Sequence, residues 1–342
     1  MKSEQSILFV LNQYPADCHP EQIQPLGSAG GFSGATFWKI LSRRGPLCLR
    51  RWPKEHPNQN RIDFIHRLLQ HVFNEGFELV PLPISLRSDS TRTHFKYQGH
   101  FWELAPWLPG SADYLPARST KKLEAAMQTL ATFHQATSNF VGVLPKSDRS
   151  VTVQERLEQI DLWIQSDIDR LECHVGGSQC VTIDRLPRWK TQIIDYAKHH
   201  IHQVRYSLHA VIDCHVTIQA CIRDIWHQHI LFLGDRVSGM VDFGAARADT
   251  VVADLTRLLG STAGNDKDKW DFGLNAYESI RPLTDQERLL VHPLDQTTVL
   301  LSGLNWMRWL YLENRSFSDE SAVAVRLEHV MTRLETPGTK ID

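Results

Sequence analysis

The stretch from Cys221 to Gly244 constrains this chain more than any other part of it. A polar segment, Arg223-Asp224-Ile225-Trp226-His227-Gln228-His229, runs into the apolar run Ile230-Leu231-Phe232-Leu233. Gly234-Asp235 follows, then Arg236 to Val241, and then Asp242-Phe243-Gly244. A short apolar strand and a second strand around a Gly-Asp pair read as a β-hairpin, because Gly and Asp tolerate the backbone angles a tight turn demands. A hairpin brings its ends together. Asp224, before the first strand, and Asp242, after the second, are therefore expected to be neighbours in space.

The rest of the chain divides by pattern. Up to about residue 106 it reads as strands with one helix: Gln22–Leu26, Thr36–Ile40 and Pro46–Arg50, with a glycine-rich loop at residues 27–34 and a turn at Arg43-Arg44-Gly45. Ile62, Ile65, Leu68, Leu69, Val72 and Phe73 recur at helical spacing, and Gly76 suits the residue just past that helix. Thr93–Tyr97 and Phe101–Leu104 flank Gln98-Gly99-His100 as a second hairpin. Beyond Trp107-Leu108-Pro109-Gly110 the pattern is mainly helical. Leu123, Ala126, Met127, Leu130, Ala131 and His134 share one face, and further helices are expected over 153–172, 187–208, 251–260, 284–292 and 296–313, with a loop at 174–186. The expected class is α+β in two lobes: a small β-rich lobe over 1–106 and a larger, mainly helical lobe over 107–342.

Composition narrows the function classes. The 342 residues carry a formal net charge of −2, with no basic run, so a nucleic-acid partner is set aside. The six cysteines form no C-x-x-C pair, which fits free thiols in a reducing compartment. No stretch approaches the ~18 apolar residues of a membrane span. The apolar patch Ile7–Leu11 is too short for a signal peptide. A soluble, cytoplasmic protein with a small-molecule partner is the expectation.

A pair of carboxylates at the two ends of a hairpin suits phosphoryl transfer. One orients or deprotonates the attacking hydroxyl, and the other holds Mg²⁺ against the β and γ phosphates. The segment 221–244 resembles the catalytic and metal-binding loops of the aminoglycoside phosphotransferase and choline kinase group, H-G-D-x-x-x-x-N followed by a hairpin and I-D-F/W-G. The resemblance implies a protein-kinase-like two-lobed fold, ATP as donor and a small-molecule hydroxyl as acceptor. It places Asp224 on the catalytic aspartate and Asp242 on the metal-binding one. Asp254, in Ala253-Asp254-Leu255, is similar to the family's D-L segment and is expected to brace the catalytic loop. Upstream, Gly30, Gly31, Ser33 and Gly34 would approach phosphate oxygens through backbone N–H groups. Arg50 stands where these kinases place a lysine and would fork onto the phosphates. Glu103 and Ala105 fall on the hinge beside the adenine.

Three residues depart from the family pattern: Ile222 replaces His, Arg223 replaces Gly, and His229 replaces the Asn that serves as second metal ligand. Imidazole suits Mg²⁺ less well than oxygen donors do, so Mn²⁺ is an alternative ion. On helix 62–73 Asp63 is the one acid available to partner Arg50. Two other readings stay open: a non-catalytic, kinase-like nucleotide-binding protein, and a metal-dependent hydrolase built on Asp224, His227 and His229.

Overall fold

The computed structural model describes residues 2–28, 31–32, 34–143, 146–174, 181–317 and 319–335. The chain divides into two compact units, Met1–Lys122 with Phe140–Gly142 and Gln228–Gly244, and Leu123–Asn139 with Val143–His227 and Ala245–Asp342. Packing, not chain order, sets this division: the hairpin after residue 227 belongs to the first unit and its flanks to the second.

In the first unit, helix α1 (Lys2–Leu11) precedes strands β1 (Pro20–Gly27), β2 (Thr36–Ser42) and β3 (Gly45–Arg51). Helix α2 (Gln59–Asn74) and strands β4 (His94–Tyr97) and β5 (His100–Pro106) follow. The five strands form one antiparallel sheet in the order β1-β2-β3-β5-β4. The Ile7–Leu11 patch is the inward face of α1. Ile7, Val10 and Leu11 share a buried cluster with Ile40, Leu47, Leu49, Trp102 and Leu104. Helix α2 begins with the Asn58 side chain accepting from the Arg61 N–H. It ends in a Schellman closure: the Phe77 and Gly76 N–H groups donate to the Val72 and Phe73 carbonyls, with Gly76 at φ 87°.

The second unit is mainly helical. Helix α3 (Thr120–Ala136) begins in the first unit and continues into the second. Strand β6 (Lys146–Arg149) follows, then α4 (Val151–Leu162), α5 (Ile168–Glu172) and α6 (Leu186–His209). Strand β7 (His215–Cys221) leads to the hairpin of β8 (Ile230–Leu233) and β9 (Arg236–Met240), which packs in the first unit. Strand β10 (Arg247–Asp249) and helices α7 (Val252–Ala263), α8 (Lys267–Glu278), α9 (Asp285–Met307) and α10 (Glu320–Glu335) complete the second. Strands β10, β7 and β6 make a small sheet in that order. The break expected between 292 and 296 is absent, because α9 runs through Pro293. Leu290, Leu294, Thr297, Leu301 and Leu304 keep one buried face on both sides of the proline, and that burial outweighs the single hydrogen bond a proline removes. No helix among the described residues is long and apolar enough to cross a membrane.

Candidate functional site

In the first unit the β3–β5 register places Arg50 directly opposite Glu103. The Arg50 guanidinium lies 3.3 Å from the Trp52 ring centroid. Its Nη1 is 3.8 Å from Glu103 Oε1, and its Nη2 is 3.7 Å from Asp242 Oδ1. Glu103 Oε2 accepts from the Trp52 indole N–H at 2.7 Å and pairs with His66 Nε2 at 3.0 Å. The other ring nitrogen of His66 lies 2.6 Å from Thr93 Oγ1. Asp63 is not the partner of Arg50, because its carboxylate is engaged by His94 Nε2 at 2.7 Å. The acid comes from the neighbouring strand, and α2 contributes a histidine to it. The side chain of Glu103 thus positions Arg50, a role beyond the backbone hinge contact expected of that residue.

Burial works to raise the Glu103 carboxyl. The hydrogen bond and charge of His66, the charge of Arg50 and the Trp52 N–H outweigh it and hold the group down at about 2. A depressed acid contributes stability above its unfolded pKa that is lost as pH falls through the folded one. Glu103→Gln is therefore expected to flatten the stability profile between about pH 4.5 and pH 2. Urea titrations across that pH window check the effect.

The hairpin aligns Ile230 with Met240, and the Val241 N–H donates to the His229 carbonyl at 2.9 Å. That closure brings the His229 and Asp242 side chains together, with Nε2 and Oδ2 3.7 Å apart. Asp242 has φ 65°, a left-handed angle that Asp tolerates better than most residues. A Cβ on Gly244 would sit 3.4 Å from both Asp242 Oδ1 and the Trp52 ring, so the glycine leaves room for that carboxylate. In the glycine-rich loop, Gly31 N–H donates to the Ser28 carbonyl, and Gly34 has φ 76° beside Pro53. Gly30 and Ser33 lie outside the described residues. Ala105 pairs with Cys48 in the β3–β5 ladder.

Asp224 belongs to the second unit, on the loop that leaves β7. Buried Asp254 on α7 holds this loop by accepting from the Ile222 N–H at 2.7 Å and the Arg223 N–H at 2.6 Å. Asp254 also accepts from His134 Nε2 at 3.1 Å, while His134 Nδ1 meets the Tyr277 hydroxyl at 2.7 Å. Burial pushes His134 below its usual range despite Asp254, so the ring is neutral and the Tyr277 hydroxyl donates to it. Cys221 lies close to His134 and Asp254, within reach of a shared metal ion. Its thiol is pushed well up by burial and donates to the Asp249 carbonyl, and with the other two groups hydrogen-bonded to each other the trio is a structural brace.

Arg223 has φ 70°, which explains why glycine suits this position. Here an arginine takes the strained angle and is held by its side chain, paired with Asp249 and with Glu155. Asp224 is exposed and forms an ion pair with Arg257 of α7. His227, a member of the hydrolase alternative, is buried against the Trp226 ring at 4.4 Å between centroids, and its N–H donates to Ser261.

Residues 24–290 match the phosphotransferase enzyme family. Two homoserine kinases are similar to the chain. The one from Rhizobium rhizogenes is 23% identical over 292 residues, covering 80% of this chain and 77% of that protein. The one from Methylobacillus glycogenes is 28% identical over 267 residues, covering 76% and 72%. The structure of a spectinomycin phosphotransferase in complex with ADP and spectinomycin has the same fold, with a TM-score of 0.67 at 10% identity over 96% of this chain and 93% of that one. With its β-rich first unit, its helical second unit and this match over most of its length, the chain belongs to the phosphotransferase enzyme family and is a kinase-type phosphotransferase acting on a hydroxyl group.

Proposed function

We propose that this phosphotransferase moves the γ-phosphoryl group of ATP onto the hydroxyl of a small molecule. The observation that carries the reading is the convergence of Arg50, Asp242 and His229 in the first unit, with Glu103 holding Arg50 in place. Arg50 takes the α and β phosphates, and the glycine-rich loop, with Gly31 and Gly34 among its described residues, would cover the triphosphate. The hinge around Glu103 and Ala105 faces the adenine. Nucleotide binding is thus assigned to the first unit and acceptor binding to the second. The complex of the spectinomycin enzyme with ADP supports a nucleotide donor. The two homoserine kinases make a hydroxy amino acid the first acceptor to try.

In the transfer, Asp224 accepts the proton of the acceptor hydroxyl as its oxygen bonds to the γ-phosphorus. The bond from that phosphorus to the bridging oxygen breaks, and ADP leaves with the electron pair. Positioning and charge neutralisation supply most of the acceleration.

A divalent ion fits the donor set of the first unit: one carboxylate from Asp242, half exposed, beside one imidazole nitrogen from His229. Asp242 would hold Mg²⁺ and His229 would contribute where Mn²⁺ is bound, the ion offsetting the charge of the phosphates. His229→Asn is expected to shift the metal preference from Mn²⁺ toward Mg²⁺, read as the ratio of kcat with each ion.

Coupled ADP release tests the function itself. ATP with Mg²⁺ or Mn²⁺ is offered with alcohols, amino alcohols, sugars and hydroxy amino acids, and the product is weighed by mass spectrometry. Acceptor-dependent ADP release with a gain of one phosphoryl group is the expected result. A large thermal shift with ATP and metal, without transfer to any acceptor, would favour the non-catalytic nucleotide-binding alternative.

A further inference from the structure

The surroundings of Asp224 in the second unit carry more positive charge than the ion pairs there use. Arg257 of α7 pairs with Asp224, yet its Nε–H is buried without an acceptor among the described residues. Arg326 of α10 stacks on Trp226, with its guanidinium 3.5 Å from the ring centroid, and has no carboxylate within ion-pair distance among the described residues. His329 packs edge-on against the same ring at 4.7 Å. The Trp226 indole N–H is likewise buried without an acceptor among those residues. Burial draws Arg326 down to about 10; the charge of Asp224 opposes that shift and the charge of Arg257 adds to it.

Neighbouring acids among the described residues do not make up the deficit. Half-buried Arg156 of α4 also feels the charge of Arg257. The carboxylates near Arg156 are already committed, Asp295 to Arg333 and Glu155 to Arg223 and Arg247. Among the described residues, one exposed carboxylate therefore stands among guanidinium groups, with two buried N–H donors, Arg257 Nε–H and the Trp226 indole, lacking acceptors.

From this arrangement, and resting on the assignment of Asp224 to the acceptor hydroxyl, we propose that Arg326 and Arg257 bind a carboxylate of the acceptor, so that the substrate is a hydroxy acid and not a polyamine. Stacking on Trp226 occupies one face of the Arg326 plane and keeps its N–H edge available for a bidentate carboxylate. Arg257 bridges the two ends of the acceptor, next to both Asp224 and the bound carboxylate. A polycationic acceptor would meet two guanidinium groups and a single carboxylate.

Compounds that differ only in the carboxylate test the assignment: L-homoserine against 3-aminopropan-1-ol, and 4-hydroxybutyrate against propan-1-ol. Turnover is followed by coupled ADP release and binding by calorimetry, with spectinomycin as a cationic control. The wild type should prefer the acid of each pair in both measurements. Arg326→Gln should reduce kcat/KM for the acids about 10- to 100-fold, mainly through KM. The loss should be far smaller with the plain alcohols, and Arg326→Lys should restore part of it. Equal use of acid and alcohol, a preference for spectinomycin, or an equal loss on both members of each pair in Arg326→Gln overturns the carboxylate assignment and leaves phosphoryl transfer intact. Carboxylate binding that depends on Arg326, with no ADP released for any acceptor, would support the subsite and count against the proposed reaction. Absence of any carboxylate preference in both turnover and binding ends the assignment outright.

Discussion

Asp224→Asn is expected to lower kcat by about 10²- to 10⁴-fold, the range a positioned general base contributes. The substitution keeps the shape of the side chain and removes its ability to take a proton. KM for ATP should stay within about twofold, because Arg50, Asp242 and His229 are untouched and make the proposed nucleotide contacts. Stability should change by less than ~0.5 kcal/mol, since the side chain is 53% exposed and its pairing with Arg257 is a surface contact. The combination is diagnostic: a large loss in kcat, an unchanged thermal midpoint and an unchanged nucleotide KM. An Asn variant with near wild-type turnover would remove Asp224 from the chemistry. An equal fall in thermal midpoint would make the residue structural instead.

The parts of the fold legible in the sequence were those whose pattern is local. Alternating apolar runs around Gly45 and Gly99 gave the strands of the first unit, and the spacing of Ile62, Ile65, Leu69 and Val72 gave α2. The Gly234-Asp235 turn gave the β8–β9 hairpin, which closes on His229 and Asp242. Elements outside the motif carry weaker local signals. Strand β7 is buried on both faces at its end, so it lacks a clean two-residue alternation. Helix α8 contains Gly273, which reads as a helix breaker. The structure explains it: a Cβ there would sit 2.4 Å from the Leu259 side chain, so glycine permits close packing on α7. Helix α10 had a usable signal in Val323, Leu327, Val330 and Met331, all buried at helical spacing.

The candidate site divides in the same way. Asp224, Asp242 and Arg50 stand in recognisable motifs. The partner of Arg50 does not, because Glu103 reaches it through strand register across a long interval of chain, and no local pattern encodes that pairing. His66 follows the same rule: α2 carries an acid, Asp63, yet the group it supplies to the Arg50–Glu103 pair is a histidine. Arg326 lies far from the motif in sequence, and only the packing of α10 against Trp226 exposes its relation to Asp224.

The largest stability loss is expected at Asp254. Its carboxylate is fully buried and accepts from two consecutive backbone N–H groups and from neutral His134. Asp254→Asn keeps one accepting oxygen and turns an N–H₂ toward a partner that is itself a donor, leaving at least one buried group unsatisfied. Asp254→Ala removes every acceptor and adds a cavity. Breaking a buried charged network of this kind costs about 3–5 kcal/mol. Urea midpoints should fall accordingly for Ala, and somewhat less for Asn. The loop that carries Asp224 is affected as well. Arg223 at φ 70° is an unfavourable conformation, sustained by the Asp254 bond to its N–H and by its side-chain pairs. Without Asp254 the loop is expected to relax, and kcat should fall even under conditions where the variant remains folded. Asp254→Asn combined with Arg223→Gly, read against Arg223→Gly alone, separates the two effects, because glycine removes the backbone strain without restoring the acceptor and the lost pairs to Asp249 and Glu155 are common to both. Recovery of kcat with little recovery of the urea midpoint would show that Asp254 serves catalysis by holding the loop in its left-handed turn. Stability and rate moving together in every variant would show that it serves only the core.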